Sequence, residues 1–231
     1  MQFQLTGIVV IVGNFGSGKT EVAINLAVDR HHAGVKVRLA DLDLVNPYFR
    51  SREARSTLSN VGIELILPPE EYMVADLPIL SPLVAGLIRR PGQLDLIDAG
   101  GDPVGARVLS ALADAFGGRS YHMLQVVNPM RPKTDTIDGC LAMRQEIETA
   151  ARLRVTGWIG NANLIDDTAP DDIVRGHAFV QNLSHESGLP LMFVTAAAEL
   201  LPHVSLEDFS CPVLTIERQL VPPWKKAKPI A

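Results

Sequence analysis

Along the chain, short continuous apolar blocks alternate with segments in which apolar residues recur at helical spacing. Thr6-Gly-Ile-Val-Val-Ile-Val-Gly13 is the first such block, and its β-branched run predicts a strand buried on both faces. Within 21–28, Val22/Leu26, Ala23/Ala27 and Ile24/Val28 recur at i,i+4 and predict a helix. Ala33-Gly34 ends it. Val35–Ala40 then reads as a second strand, and Val61–Leu67 as a third apolar segment closed by Pro68-Pro69. A proline-punctuated stretch follows, with one helix expected over Pro82–Arg90. Gln93–Asp98 and Tyr121–Asn128 read as strands, and Thr134–Leu153 as a long helix opened by Thr134-Asp135. Val155–Gly160 predicts a strand, Asp171–Ser187 a helix, and Leu189–Thr195 and Val213–Ile216 the last strands. This alternation predicts an α/β fold of three layers, a mostly parallel sheet flanked by helices. With no repeat or linker, 1–231 is expected to be a single domain with an irregular, Pro- and Lys-rich tail over about 218–231.

Between the first strand and the first helix stands Gly13-Asn14-Phe15-Gly16-Ser17-Gly18-Lys19-Thr20, which fits G-x-x-x-x-G-K-[ST], the phosphate-binding loop of NTPases. A triphosphate needs several backbone N–H groups aimed at its oxygens, and glycines let the chain curl closely enough to supply them. Lys19 adds a positive charge for the β- and γ-phosphates, and the Thr20 hydroxyl is suited to a Mg²⁺ position. Strand, glycine loop and helix together set a helix N-terminus under the phosphates.

Two further segments carry acidic residues at expected strand ends. Asp41-Leu42-Asp43 closes the second strand, and Asp98-Ala-Gly-Gly-Asp102 closes Gln93–Asp98. Open parallel sheets bind ligands at the carboxyl ends of their strands, so these carboxylates are placed to face one nucleotide. Asp98 is expected on the Mg²⁺ side of the site, and the Gly100-Gly101 turn to respond to the γ-phosphate.

Composition narrows the class. The 231 residues are 47% hydrophobic and carry a net charge of -5, which supports a large core and argues against non-specific nucleic-acid binding. Residues 1–18 hold no basic n-region and are broken by Gly, Asn and Ser, so neither a secretory signal nor a membrane span is expected there, and a cytoplasmic location follows. The two cysteines, Cys140 and Cys211, have no C-x-x-C spacing and read as buried thiols. His31-His32 stands where the first helix should end, a position that favours cations.

With the P-loop, the D-x-D after the second strand and Asp98-Ala-Gly-Gly in hand, the chain from Gly7 to about Thr195 resembles the MinD/ParA/CobQ-type ATPases, relatives of the nitrogenase iron protein. The resemblance implies a P-loop NTPase fold, ATP and Mg²⁺ as cofactors, dimerisation around ATP in many members, and a switch acting on a partner protein. Carried over by motif, Lys19 and Thr20 bind phosphate and metal, Asp43 orients the attacking water with Asp41 beside it, Asp98 is the Walker B acid, and Asn161 reads the adenine edge. Asp43 is also expected near the metal. One departure stands out: dimerising members read G-K-G-G-x-G-K-T, and here Asn14 replaces the signature lysine and Phe15 a glycine. Arg50, Arg52, Arg131 and Lys133, near expected strand-end loops, are the candidate substitutes, and Arg131, held between Pro129 and Pro132, is the first choice. The paired cysteines of the iron–sulfur carriers are absent, and Pro222-Pro223 interrupts the tail where MinD-type relatives carry a membrane-binding helix.

Three functions compete on this reading. The first is the nucleotide-dependent switch, supported by the segments Asp43–Arg50 and Asp98–Pro103. An ATP-dependent ligase or kinase of the cobyrinate or dethiobiotin synthetase type is the second. The third is a metallochaperone-type GTPase, for which Asn163-Leu-Ile-Asp166 resembles N-K-x-D with leucine in place of lysine. That loss weighs toward ATP.

Overall fold

The computed structural model describes residues 5–42, 55–66, 82–100 and 103–220, without the side chains of 55–57 and 103–105. Eight parallel strands form one sheet in the order β3-β2-β4-β1-β5-β6-β7-β8. They are β1 (Gly7–Gly13), β2 (Val37–Leu42), β3 (Glu64–Ile66), β4 (Leu94–Ala99), β5 (Tyr121–Val127), β6 (Gly157–Gly160), β7 (Leu191–Ala197) and β8 (Val213–Ile216). The helices are α1 (Lys19–His32), α2 (Arg55–Asn60), α3 (Pro82–Arg89), α4 (Pro103–Phe116), α5 (Ile137–Ala151) and α6 (Pro170–Ser187). From β1 the chain runs to β2 and β3 at one edge, returns to insert β4 between β2 and β1, and then adds β5 to β8 on the other side. The order therefore turns beside β1, the place where such sheets form a crevice.

Burial on both faces explains the continuous apolar strands. Val9 and Ile11 of β1 pack with Val22, Ala23, Ile24 and Leu26 of α1 and with Leu58 of α2. Val10 and Val12, on the opposite face, meet α3, α4 and α5 through Leu87, Leu109 and Ile147. Strand alternation separates the two sets. Val180 and Leu183 of α6 pack with Trp158 and Val127 on that second side.

The expected elements fall into place with four differences. Helix α4 lies between Asp102 and Tyr121, where no helix is expected from the sequence reading. β3 is shorter than Val61–Leu67, because Gly62 takes φ +90° and residues 61–63 form the turn out of α2. The short helix α2 is also additional. The long helix begins at Ile137, not Thr134. Thr136 is its cap, with Oγ1 accepting the Gly139 N–H at 3.1 Å, while Thr134 is fully buried and its Oγ1 donates to the Asn128 carbonyl at 2.8 Å. A bond back into the loop after β5 thus takes the Thr134 hydroxyl away from capping. Cys140 and Cys211 are both buried, and burial pushes their thiols up to about 12 and about 11. His31 and His32 close α1, the first half-buried and the second exposed.

Candidate functional site

Beyond Gly13 the backbone leaves β1 and turns sharply before α1. Gly16 and Gly18 sit at φ +73° and +90°, the left-handed region that glycine enters without strain. At Gly13 the reason is proximity, since a Cβ there would meet the Val126 carbonyl oxygen at 2.5 Å. Glycine at 18 serves both purposes, because a Cβ would also collide with the side chain of Asn161. The loop closes on itself through Ser17 N–H to the Asn14 carbonyl at 3.1 Å.

At α1 the helix begins with no side-chain cap, and its first intrahelical bond runs from Val22 N–H to the Gly18 carbonyl at 3.0 Å. The N–H groups of Lys19, Thr20 and Glu21 therefore precede the hydrogen-bonded ladder, with the positive end of the helix dipole behind them. Lys19 and Thr20 are buried, and the Lys19 ammonium reaches back to the Asn14 carbonyl at 3.4 Å. Backbone donors, a cation and a hydroxyl thus converge on one loop, an arrangement suited to phosphate oxygens.

The acidic side of the site follows from strand register. Leu39 pairs with Leu96, and two residues further on Asp41 pairs with Asp98, so the two carboxylates share a face. Both leucines pack against the α1 side of the sheet. Ile11 of β1 is also in register with Asp98, which sets the β4 carboxylate beside the strand that feeds the loop. Both aspartates are buried, at 1% and 0% exposure. The sequence places the Asp41 carboxylate at a strand end that can face a nucleotide, and the register adds that it is the partner position of Asp98. The period-2 rule applied to Asp41-Leu42-Asp43 was the available signal.

Oxygen donors of this kind fit Mg²⁺, which takes one or two carboxylates and completes its shell with phosphate and water. Among the described residues no three His, Cys, Asp or Glu side chains are grouped to hold a metal by themselves. Thr20 with Asp98 and Asp41 would hold such an ion only together with a phosphate ligand, whose charge it would neutralise.

Other expected site residues are placed as follows. Phe15 is 70% exposed at the loop tip, Ser17 is fully buried, and the Asn14 Nδ2 donates to the Pro132 carbonyl at 3.0 Å. Asn161 is buried beneath the loop. Its Nδ2 donates to the Ser17 carbonyl at 2.6 Å, and its Oδ1 accepts from Thr195 Oγ1 at 2.5 Å. That makes Asn161 a brace for the P-loop, a role the sequence reading missed. Asn163 turns its Oδ1 into a local turn with Ile165 N–H, and Asp166 pairs with Arg218 at 3.0 Å. Asp43, Arg50, Arg52, Gly101 and Asp102 lie outside the described residues, as does the tail from 221.

Comparison with solved structures agrees with this architecture. Chloroplast FtsY from Physcomitrella patens superposes with a TM-score of 0.57 at 21% identity, over 84% of this chain and 59% of that one. Cell division protein FtsY from Thermotoga maritima gives 0.57 at 22% identity, over 82% and 61%. Signal recognition particle receptor FtsY from Elizabethkingia anophelis, solved in complex with GDP, gives 0.54 at 18%, over 84% and 58%. The fold is that of the P-loop NTPases. At these identities the likeness extends to fold alone, and the chain spans less than two thirds of each of these proteins. No protein-family model and no curated protein matches the chain.

The C-terminal chain returns to this site. Glu21, one residue after Thr20, accepts the N–H groups of Gln219 at 2.6 Å and Leu220 at 3.0 Å, and Asn25 Oδ1 accepts that of Glu217 at 2.8 Å. Burial pushes the Glu21 carboxyl above its ordinary value, partly offset by those N–H groups and by Asn25. Among the described residues, no helix is long and apolar enough to cross a membrane.

Proposed function

We propose that the chain binds Mg·ATP at the loop 13–20, hydrolyses it, and acts as a nucleotide-dependent switch on a partner protein, in the manner of the MinD/ParA/CobQ-type ATPases. The observation that carries this reading is the convergence of Lys19, Thr20 and the opening of α1 with the register pair Asp41/Asp98. In this reading Lys19 and the loop N–H groups hold the phosphates, and Asp98 with Thr20 holds the metal. Asp43 orients the attacking water. Catalysis then rests on positioning and charge rather than on covalent chemistry by the protein.

ATP is preferred over GTP in this account. Guanine readout through Asn163-Leu-Ile-Asp166 requires its side chains to face a base, and Asn163 is engaged in a local turn while Asp166 is paired with Arg218. Competition of ATP and GTP against a bound fluorescent adenine nucleotide tests this directly. Displacement by ATP at lower concentration is the expected result, and preferential displacement by GTP would overturn the assignment of the base.

A further inference from the structure

We propose that Arg131 is a second cation at the P-loop, acting on the charge that develops on the γ-phosphate during transfer, supplied in cis by the loop after β5 and held in place by Asn14. The inference rests on the nucleotide reading and adds a residue to it. Arg131 lies against the loop itself, for a Cβ placed on Gly16 would sit 3.9 Å from its Nε. That Nε is buried without a hydrogen-bond partner, and no ion pair among the described residues includes the guanidinium. On this half-buried arginine the shielded Nε donor has no acceptor, and an anion at the loop would supply one. The neighbouring surface is the one built for phosphate.

The segment around Arg131 is stiff before any ligand arrives. Asn14 Nδ2 donates to the Pro132 carbonyl, which ties the P-loop to this segment at 3.0 Å. Asn128 is buried, with Oδ1 accepting the Met130 N–H at 3.0 Å and Nδ2 donating to the Asn163 carbonyl at 2.8 Å. Its own carbonyl accepts the Arg131 N–H at 3.1 Å and the buried Thr134 hydroxyl at 2.8 Å. Pro129 and Pro132 fix φ on either side of Arg131. A preorganised cation is worth more than a mobile one, because its orientation costs nothing at the moment of reaction. Phosphoryl transfer spreads charge over the γ-phosphate oxygens, and an added arginine there contributes about 10³–10⁵ in rate. Lys19 supplies one cation, and Arg131 is positioned to supply the next. Asn14 is then a positioning residue acting through Pro132.

The test compares the wild-type chain with Arg131→Ala, Arg131→Gln, Arg131→Lys and Asn14→Ala by calorimetric ATP titration, single-turnover hydrolysis and thermal melting. Arg131→Ala is expected to keep ATP affinity within about threefold and to lose at least about tenfold in turnover. Arg131→Lys should recover part of that rate, because a charge rather than packing is restored, and Asn14→Ala should fall between. Should Arg131→Ala lose its fold, Arg131→Gln, which keeps a polar side chain without the charge, is judged by the same criterion. Turnover within about twofold of wild type (~0.4 kcal/mol) in a folded charge-removed variant overturns the inference and leaves the ATPase reading standing. A wild-type chain that binds no ATP overturns both.

Discussion

At the scale of single residues, the candidate site is made of buried polar side chains, Lys19, Thr20, Asp41 and Asp98. Asp98 has no exposure, and it shares its face with Asp41 because the two are in register on neighbouring strands. Groups that align metal and water matter most in the transition state, so their removal should act on turnover more than on affinity. Asp98→Asn is expected to slow single-turnover hydrolysis at least about tenfold (~1.4 kcal/mol) while ATP affinity stays within about threefold. Asp43→Ala is expected to follow the same pattern, and wild-type single-turnover rates in either variant would remove the role given to that carboxylate. Lys19, Thr20 and Asp98 are legible in the sequence as candidates, because the P-loop spelling and the strand-then-Asp pattern are local. The bracing of the loop by Asn161 was not legible. It depends on a contact across 144 positions, from its Nδ2 to the Ser17 carbonyl, that no local pattern encodes.

At the scale of elements, the apolar blocks announced seven of the eight strands well because both faces of a parallel sheet are covered. The exception is β3, where the turn at Gly62 consumes half of an apolar run. Helix α4 opens with Pro103 at its first position, a helix-start signal that the preceding Asp and Gly residues mask because they also spell a turn. The join of α1 to the C-terminal chain has a measurable signature. The Glu21 carboxyl is raised by burial, against the pull of the Gln219 and Leu220 N–H groups, so the folded chain holds its proton more tightly than the unfolded chain. The sign follows from linkage: this contribution to stability is present below the ordinary carboxylate value of 4.5 and is lost as pH rises through the folded value. Denaturant unfolding across that range should therefore show a decline attributable to Glu21. Glu21→Gln, which cannot titrate, should flatten it. An unchanged pH profile in the variant would show that the carboxyl is not raised.

At the scale of the whole molecule, a parallel sheet whose order turns beside β1 gathers the loop 13–20, the β2 and β4 carboxylates and the β5 loop at one edge. The α/β class and the position of that edge were readable from strand and helix alternation, whereas the docking of the 128–134 segment on the P-loop was not. That contact spans 118 positions and joins Asn14 to a proline carbonyl, groups with no pattern of their own. The central claim is that this edge holds a nucleoside triphosphate, and calorimetric titration of Mg·ATP into wild type and Lys19→Ala tests it most directly. Lys19→Ala removes the buried ammonium that faces the loop carbonyl while leaving the glycines and the opening of α1 in place. The account predicts saturable, Mg²⁺-dependent binding by wild type and at least about a tenfold loss (~1.4 kcal/mol) in the variant, with melting temperature preserved in the absence of nucleotide. Equal ATP affinity in the two proteins would contradict it.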